Sequence, residues 1–74
     1  MTTENTLFEW ADLGDGVPQI IYLGKAPFGT DQGDPKWEIK KFAYTLEADG
    51  KYYVSHIKTL DGKSWTDRAT YDWS

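Results

Sequence analysis

His56 is the one side chain here whose ordinary pKa lies near neutrality, so general acid–base chemistry would have to pass through it. A Ser-His-Asp arrangement could draw on Ser55 or Ser64 together with Asp67. No nucleophile elbow surrounds either serine, and Ser55 falls inside a strand pattern rather than on a sharp turn. A structural histidine is the better reading. Asp12-Leu-Gly-Asp15-Gly resembles a fragment of a calcium loop, but the alternating oxygen ligands, central Gly and closing Glu of an EF-hand are missing. Asp31 and Asp34 could hold a hard cation weakly, and loop solvation explains them as well. With 12 acids some carboxylate pair always suits glycoside hydrolysis, so that pattern decides nothing. No glycine-rich phosphate loop precedes a helix. A nucleophile, a base and an oxyanion donor cannot be placed together, so no enzyme is expected.

The composition narrows the classes further. The absence of cysteine excludes disulfides and thiolate metal sites, and one histidine makes a zinc site improbable. No cofactor or metal is expected. No apolar run approaches the roughly 20 residues that span a bilayer, and Met1 to Thr6 is polar without a basic region, so neither a membrane segment nor a secretory signal is expected. Residues 1–34 carry six acids against Lys25 alone, whereas residues 35–74 carry six acids and seven bases. That imbalance argues against nucleic acid as a partner, and Lys40-Lys41 reads as a solvated strand pair. A chain of 74 residues makes one small domain. Such a domain buries only about 60% of its unfolded surface. Twelve aromatics and self-association are the means left to stabilise it, so a homo-oligomer is expected.

The elements follow from local pattern. Residues 1–6 read as a loose arm, with Leu7, Phe8 and Trp10 as its anchors, and Asp12 to Pro18 as a turn-rich loop. Residues 1–18 are therefore set apart from a β domain over 19–74. Gln19 to Leu23 predicts a strand, and Lys25 to Pro35 a long irregular loop. Trp37 to Leu46 alternates with a shift, which predicts a β-bulge near Lys40-Lys41. Asp49-Gly50 predicts a two-residue type I′ hairpin. Its register places Leu46 with Tyr53, Tyr44 with Ser55 and Phe42 with Ile57 on an apolar face, and Ala43 with His56 and Lys41 with Lys58 on a mixed one. The next strand should end near Leu60 at Asp61-Gly62. One helical turn over Ser64 to Arg68 and a closing strand over Ala69 to Trp73 complete the reading. The fold expected is all-β: a small single-domain antiparallel barrel or sandwich of roughly four to five strands with a loose N-terminal arm.

Trp10, Trp37, Trp65 and Trp73 are either core or a platform for a sugar or a protein partner. Arg68, three residues after Trp65, could stack on that indole or pair with Asp67 or Asp72. The interface candidates are Leu7, Phe8, Trp10, Phe28, Trp65, Arg68 and Trp73.

The stretch Ile21-Tyr22-Leu23-Gly24-Lys25-Ala26-Pro27-Phe28-Gly29-Thr30, then Trp37-Glu38-Ile39-Lys40-Lys41, then Trp65-Thr66-Asp67-Arg68-Ala69-Thr70-Tyr71-Asp72-Trp73-Ser74, resembles a group of short tailed-bacteriophage proteins. Those share Tyr-x-Gly-x-Ala-x-x-Gly-Thr, Trp-x-Ile-x-Lys, and Trp-x-x-Arg-Ala followed by an aromatic and Ser. The resemblance covers residues 20–74. It implies a non-enzymatic structural protein of the virion, in the neck, tail, fibre region or capsid surface, whose partners are other virion proteins and copies of itself. Two other readings stand beside it. One is a phage-encoded inhibitor of a host defence protein, its acidic half filling a basic groove. The other is a carbohydrate-binding module using an exposed Trp or Tyr.

Overall fold

The computed structural model describes residues 4–73, so Met1 to Thr3 of the expected arm and Ser74 of the C-terminal motif lie outside the described residues. The chain is all-β. Strands β1 (Glu4–Asp12), β2 (Pro18–Pro27), β3 (Trp37–Leu46) and β4 (Tyr52–Lys63) form one antiparallel sheet in the order β1-β2-β3-β4. The sheet is open, not a closed barrel or a sandwich. The segment expected to close it, Ala69 to Trp73, instead begins in a 3-10 turn at Arg68–Thr70 and crosses one face. Both β1 and β4 are therefore edges.

The N-terminal arm is corrected by the structure from Glu4 onward. Residues 4–12 alternate strictly between exposed and half-buried, which is the period of a strand with one face on a core. Leu7 lies opposite Gly24 and Glu9 opposite Tyr22, and a bulge on β2 restores the pairing at Trp10 with Ile20. The boundary expected at residue 18 thus falls within a β1–β2 hairpin. Asp12 and Asp15 shape its turn. The Asp12 carboxylate accepts hydrogen bonds from the amides of Gly14 and Gly16, and Asp15 accepts one from Val17. The calcium-like spacing is turn chemistry.

The β3–β4 hairpin follows the expected register over its middle. Phe42 faces Ile57, Ala43 faces His56 and Lys41 faces Lys58. Nearer the turn it differs. Gly50 has φ +80°, while no non-glycine residue takes positive φ among the described residues, so Asp49 cannot belong to a type I′ turn. The Gly50 amide donates to the Glu47 carbonyl, and the Glu47 amide to the Lys51 carbonyl. That is a three-residue loop with a left-handed glycine, which moves the pairing by one residue. A bulge at Ser55 restores it, so the register shift lies between Ala43 and Tyr44 rather than at Lys40-Lys41. The Ser55 hydroxyl donates to the Ala43 carbonyl at 3.2 Å. Asp61-Gly62 does not end β4 either. It forms an irregularity inside the strand, with Gly62 at φ +65°, and pairing resumes at Lys63 with Trp37.

Candidate functional site

The two faces of the sheet are chemically unlike. One face carries Tyr22, Gly24 and Ala26 from β2 and Trp37 and Ile39 from β3, and its residues make up the buried core together with Trp65. The segment after β4 straps this face. Trp65 is only 5% exposed, and its indole lies directly over Gly24, with the Trp37 ring 6.1 Å away. The strap then reaches β1, where Arg68 Nε and Nη2 each lie 2.6 Å from one oxygen of Glu9. The Arg68 guanidinium also stacks over Trp65 at 4.4 Å and over Tyr22 at 5.7 Å. Trp73 packs on Tyr22 and donates its indole N–H to the Arg68 carbonyl. Tyr71 accepts a hydrogen bond from the Ser64 amide.

The loop over residues 28–36 is fixed to the same assembly. The Gln32 carbonyl accepts from the Thr66 amide and the Ser64 hydroxyl, and Trp37 donates its indole N–H to the Asp31 carbonyl. Four of the interface candidates lie on this covered side. The strap turns Trp65, Arg68 and Trp73 toward the covered face, and Leu7 joins them from β1 through its pairing with Gly24. Ser64, at the start of the strap, is buried with its hydroxyl bonded to the Gln32 carbonyl. Ser55 and His56 are neighbours with Oγ 3.2 Å from Nδ1, but both are exposed on an edge strand. Among the described residues, no three His, Asp or Glu side chains gather as a metal-holding group.

The other face has no such cover from the described residues. It presents Phe8 and Trp10 from β1, Leu23 from β2, Phe42, Tyr44 and Leu46 from β3, and Val54 and Ile57 from β4. None of the eight is charged. Phe8, Trp10, Leu46, Val54 and Ile57 are each 49–57% exposed. Phe8 and Trp10 stand side by side with rings 6.3 Å apart. The Ser55 bulge completes the patch, because it sets Val54 beside Tyr44 where an unbroken register would set Ser55. Polar residues take over toward one end, where Lys25 faces Glu38 across β2 and β3, and Lys40 contacts Glu38 and Thr59. Phe28, at 77% exposed, stands apart on a turn closed by the Thr30 amide and the Pro27 carbonyl. A cleft of about 520 Å³ separates the hairpin ends, lined by Asp15, Val17, Asp49, Lys51, Tyr52 and Tyr53 among others, and within it the Tyr53 hydroxyl donates to the Asp49 carboxylate at 2.6 Å.

Two ionisable groups report on this geometry. The Tyr44 hydroxyl crosses to the Ile20 carbonyl at 2.5 Å, which ties the two hairpins together, and burial raises its pKa above 10.0. Tyr22 is raised too, first by burial and then by the Glu9 charge. A phenol whose folded pKa is raised leaves stability intact below its unfolded value and removes it as pH climbs through the folded one. Stability should therefore decline above pH 10. Tyr44→Phe should lose about 1 kcal/mol at neutral pH, a drop of roughly 4–8 °C in melting temperature, and flatten the alkaline decline. An unchanged neutral melting temperature would show that the Ile20 bond does not join the hairpins.

Comparison with protein-family models, curated proteins and solved structures finds no match for this chain.

Proposed function

We propose that this chain is a structural component of a tailed-bacteriophage particle and works by protein–protein contact through the open face of its sheet. The observation that carries the contact reading is the asymmetry of the sheet: one face is sealed by the chain's own strap, while the opposite face leaves an uncharged cluster of aromatic and branched side chains in water. Charge depletion with Trp, Tyr and Phe enrichment is the composition of an interface centre. Contiguous apolar patches beyond a few hundred Å² on a small protein mark sites of association. The phage assignment rests on the sequence resemblance over residues 20–74. The inhibitor reading is less well supported, since Glu9, Asp12 and Asp15 of the acidic half are engaged within the chain.

The test is location. The protein should co-sediment with purified particles at a fixed copy number, and Trp10→Lys, on the open face, should reduce its incorporation at least tenfold while leaving the fold intact. A protein that stays wholly in the particle-free lysate would overturn the structural assignment. Glycan binding abolished by the same substitution would replace it with the carbohydrate-binding reading.

A further inference from the structure

Resting on the reading of the open face as a contact surface, we infer that its occupant is a second copy of this chain, packed sheet on sheet about a two-fold axis that runs along the strands between β2 and β3. Four strands at about 4.8 Å spacing and about ten residues at about 3.3 Å give a face of roughly 600 Å². The hairpin ends part at the cleft beside Asp15 and Tyr52, so two such faces bury at most about 1,200 Å², against the roughly 1,000 Å² that a specific interface needs. The isolated chain is also extended for its length. Its radius of gyration is 13.7 Å, against about 11 Å for a globule of this size. A domain normally has two packed layers, and here the second layer is one short strap.

The β4 edge of the sheet is a poorer site. β4 carries Lys58 and Lys63 and the Ser55 bulge, and such features discourage strand addition. On the face, Lys40 stands beside Leu23 and pairs with Glu38, and beyond that level Phe42, Tyr44, Val54 and Ile57 have no lysine among them.

Charge placement selects a copy over an unrelated partner. Lys25 and Glu38 are direct partners on the two central strands, so they lie at one height on either side of the proposed axis. Rotation about that axis exchanges β2 with β3. It sets Lys25 of each copy over Glu38 of the other. Trp10 and Ile57 sit on the two outer strands near one level, beside the Glu9–Tyr22 and Lys41–Lys58 pairs, so the same rotation lays each on its counterpart. Aligned packing of two equally twisted sheets meets these constraints at a spacing of about 10 Å.

The experiment is light scattering of the full chain across a dilution series, with four variants. Wild type should weigh about 17 kDa, twice 8.5 kDa, and fall to the single-chain mass on dilution. Ile57→Lys and Trp10→Lys should each hold the single-chain mass throughout, with an unchanged circular dichroism spectrum. Lys25→Glu should weaken the dimer at least tenfold, and Lys25→Glu with Glu38→Lys should restore it. A wild type at single-chain mass at every concentration would overturn the inference. If Trp10→Lys then still blocked entry into particles, the contact reading would stand with a different occupant. If Trp10→Lys changed neither mass nor incorporation, both would fall. A dimer that survives Ile57→Lys and Trp10→Lys would place the interface elsewhere and overturn the inference as well.

Discussion

Gly24→Val should leave the chain unfolded at room temperature, and Gly24→Ala should lower the melting temperature by roughly 15 °C, following a loss of about 3 kcal/mol. The reason is steric and local. A Cβ built on Gly24 would stand 2.5 and 2.7 Å from two ring carbons of Trp65 and 3.2 Å from one of Trp37. Neither indole has room to retreat. Trp37 is held by its N–H bond to Asp31, and Trp65 lies between Gly24 and the Arg68 guanidinium. A domain of this size has a total stability of only about 4–11 kcal/mol, so one overpacked contact consumes a large share of it. The backbone of Gly24 is ordinary extended strand, so the requirement comes from the neighbouring rings alone. Thermal unfolding followed by circular dichroism decides the matter. A Gly24→Ala variant within 2 °C or so of wild type would mean that Trp65 does not rest on β2, because the methyl group would then meet no resistance.

Trp65→Ala should cost about 4 kcal/mol, in the range for deleting a buried tryptophan. The loss extends beyond the indole. The Trp65 indole gives Arg68 its stacking surface, and Arg68 carries the strap onto Glu9 of β1. The Arg68–Glu9 pair is partly open to water, so its own contribution should be modest and should not hold the strap once the indole is gone. Denaturant unfolding and limited proteolysis of the C-terminal segment should change together. The two predictions are coupled: Gly24→Ala made in the Trp65→Ala background should cost much less than in wild type, since the clash has been removed. Full additivity of the two losses would contradict the packing described.

What could be read from the residues follows from how local each signal is. The β3–β4 hairpin was legible because turn chemistry and cross-strand pattern agree, and the all-β class follows from the same periodicity. The β1 strand was less legible. Its alternation runs through Glu4, Thr6, Phe8, Trp10 and Asp12 on the exposed side, and two large aromatics among polar residues obscure which side is outside. Openness of the sheet was not legible at all. Nothing local says that Ala69 to Trp73 crosses a face instead of joining an edge; Trp65, Gly24, Arg68 and Glu9 settle it through contacts distant in sequence.

The same long-range contacts reverse the roles of the aromatics. Trp65 becomes core and Trp73 packs against it, while Leu46 and Ile57, which the expected apolar face would turn inward, stand half exposed. Several residues behind the phage resemblance share one structural role. Tyr22, Gly24, Ala26, Trp37, Ile39, Trp65 and Arg68 all build the covered face and its strap. Under the contact reading proposed above, partner choice falls to the open face, where Phe8 and Trp10 lie outside the resemblance and Leu46, Val54 and Ile57 outside its motifs.

Hydroxyl-radical footprinting, read by mass spectrometry on the dilute chain and on the assembled protein, tests most directly that the open face is the working surface. In the dilute chain Trp10, Phe8, Leu46 and Ile57 should oxidise readily, and Trp37 and Trp65 should resist. In the assembled protein the first four should become protected, while the exposed Phe28 side chain serves as a reference for access to radical. Oxidation of Trp10 and Ile57 that is equal in both states, or ready oxidation of Trp65 in the dilute chain, would contradict the account.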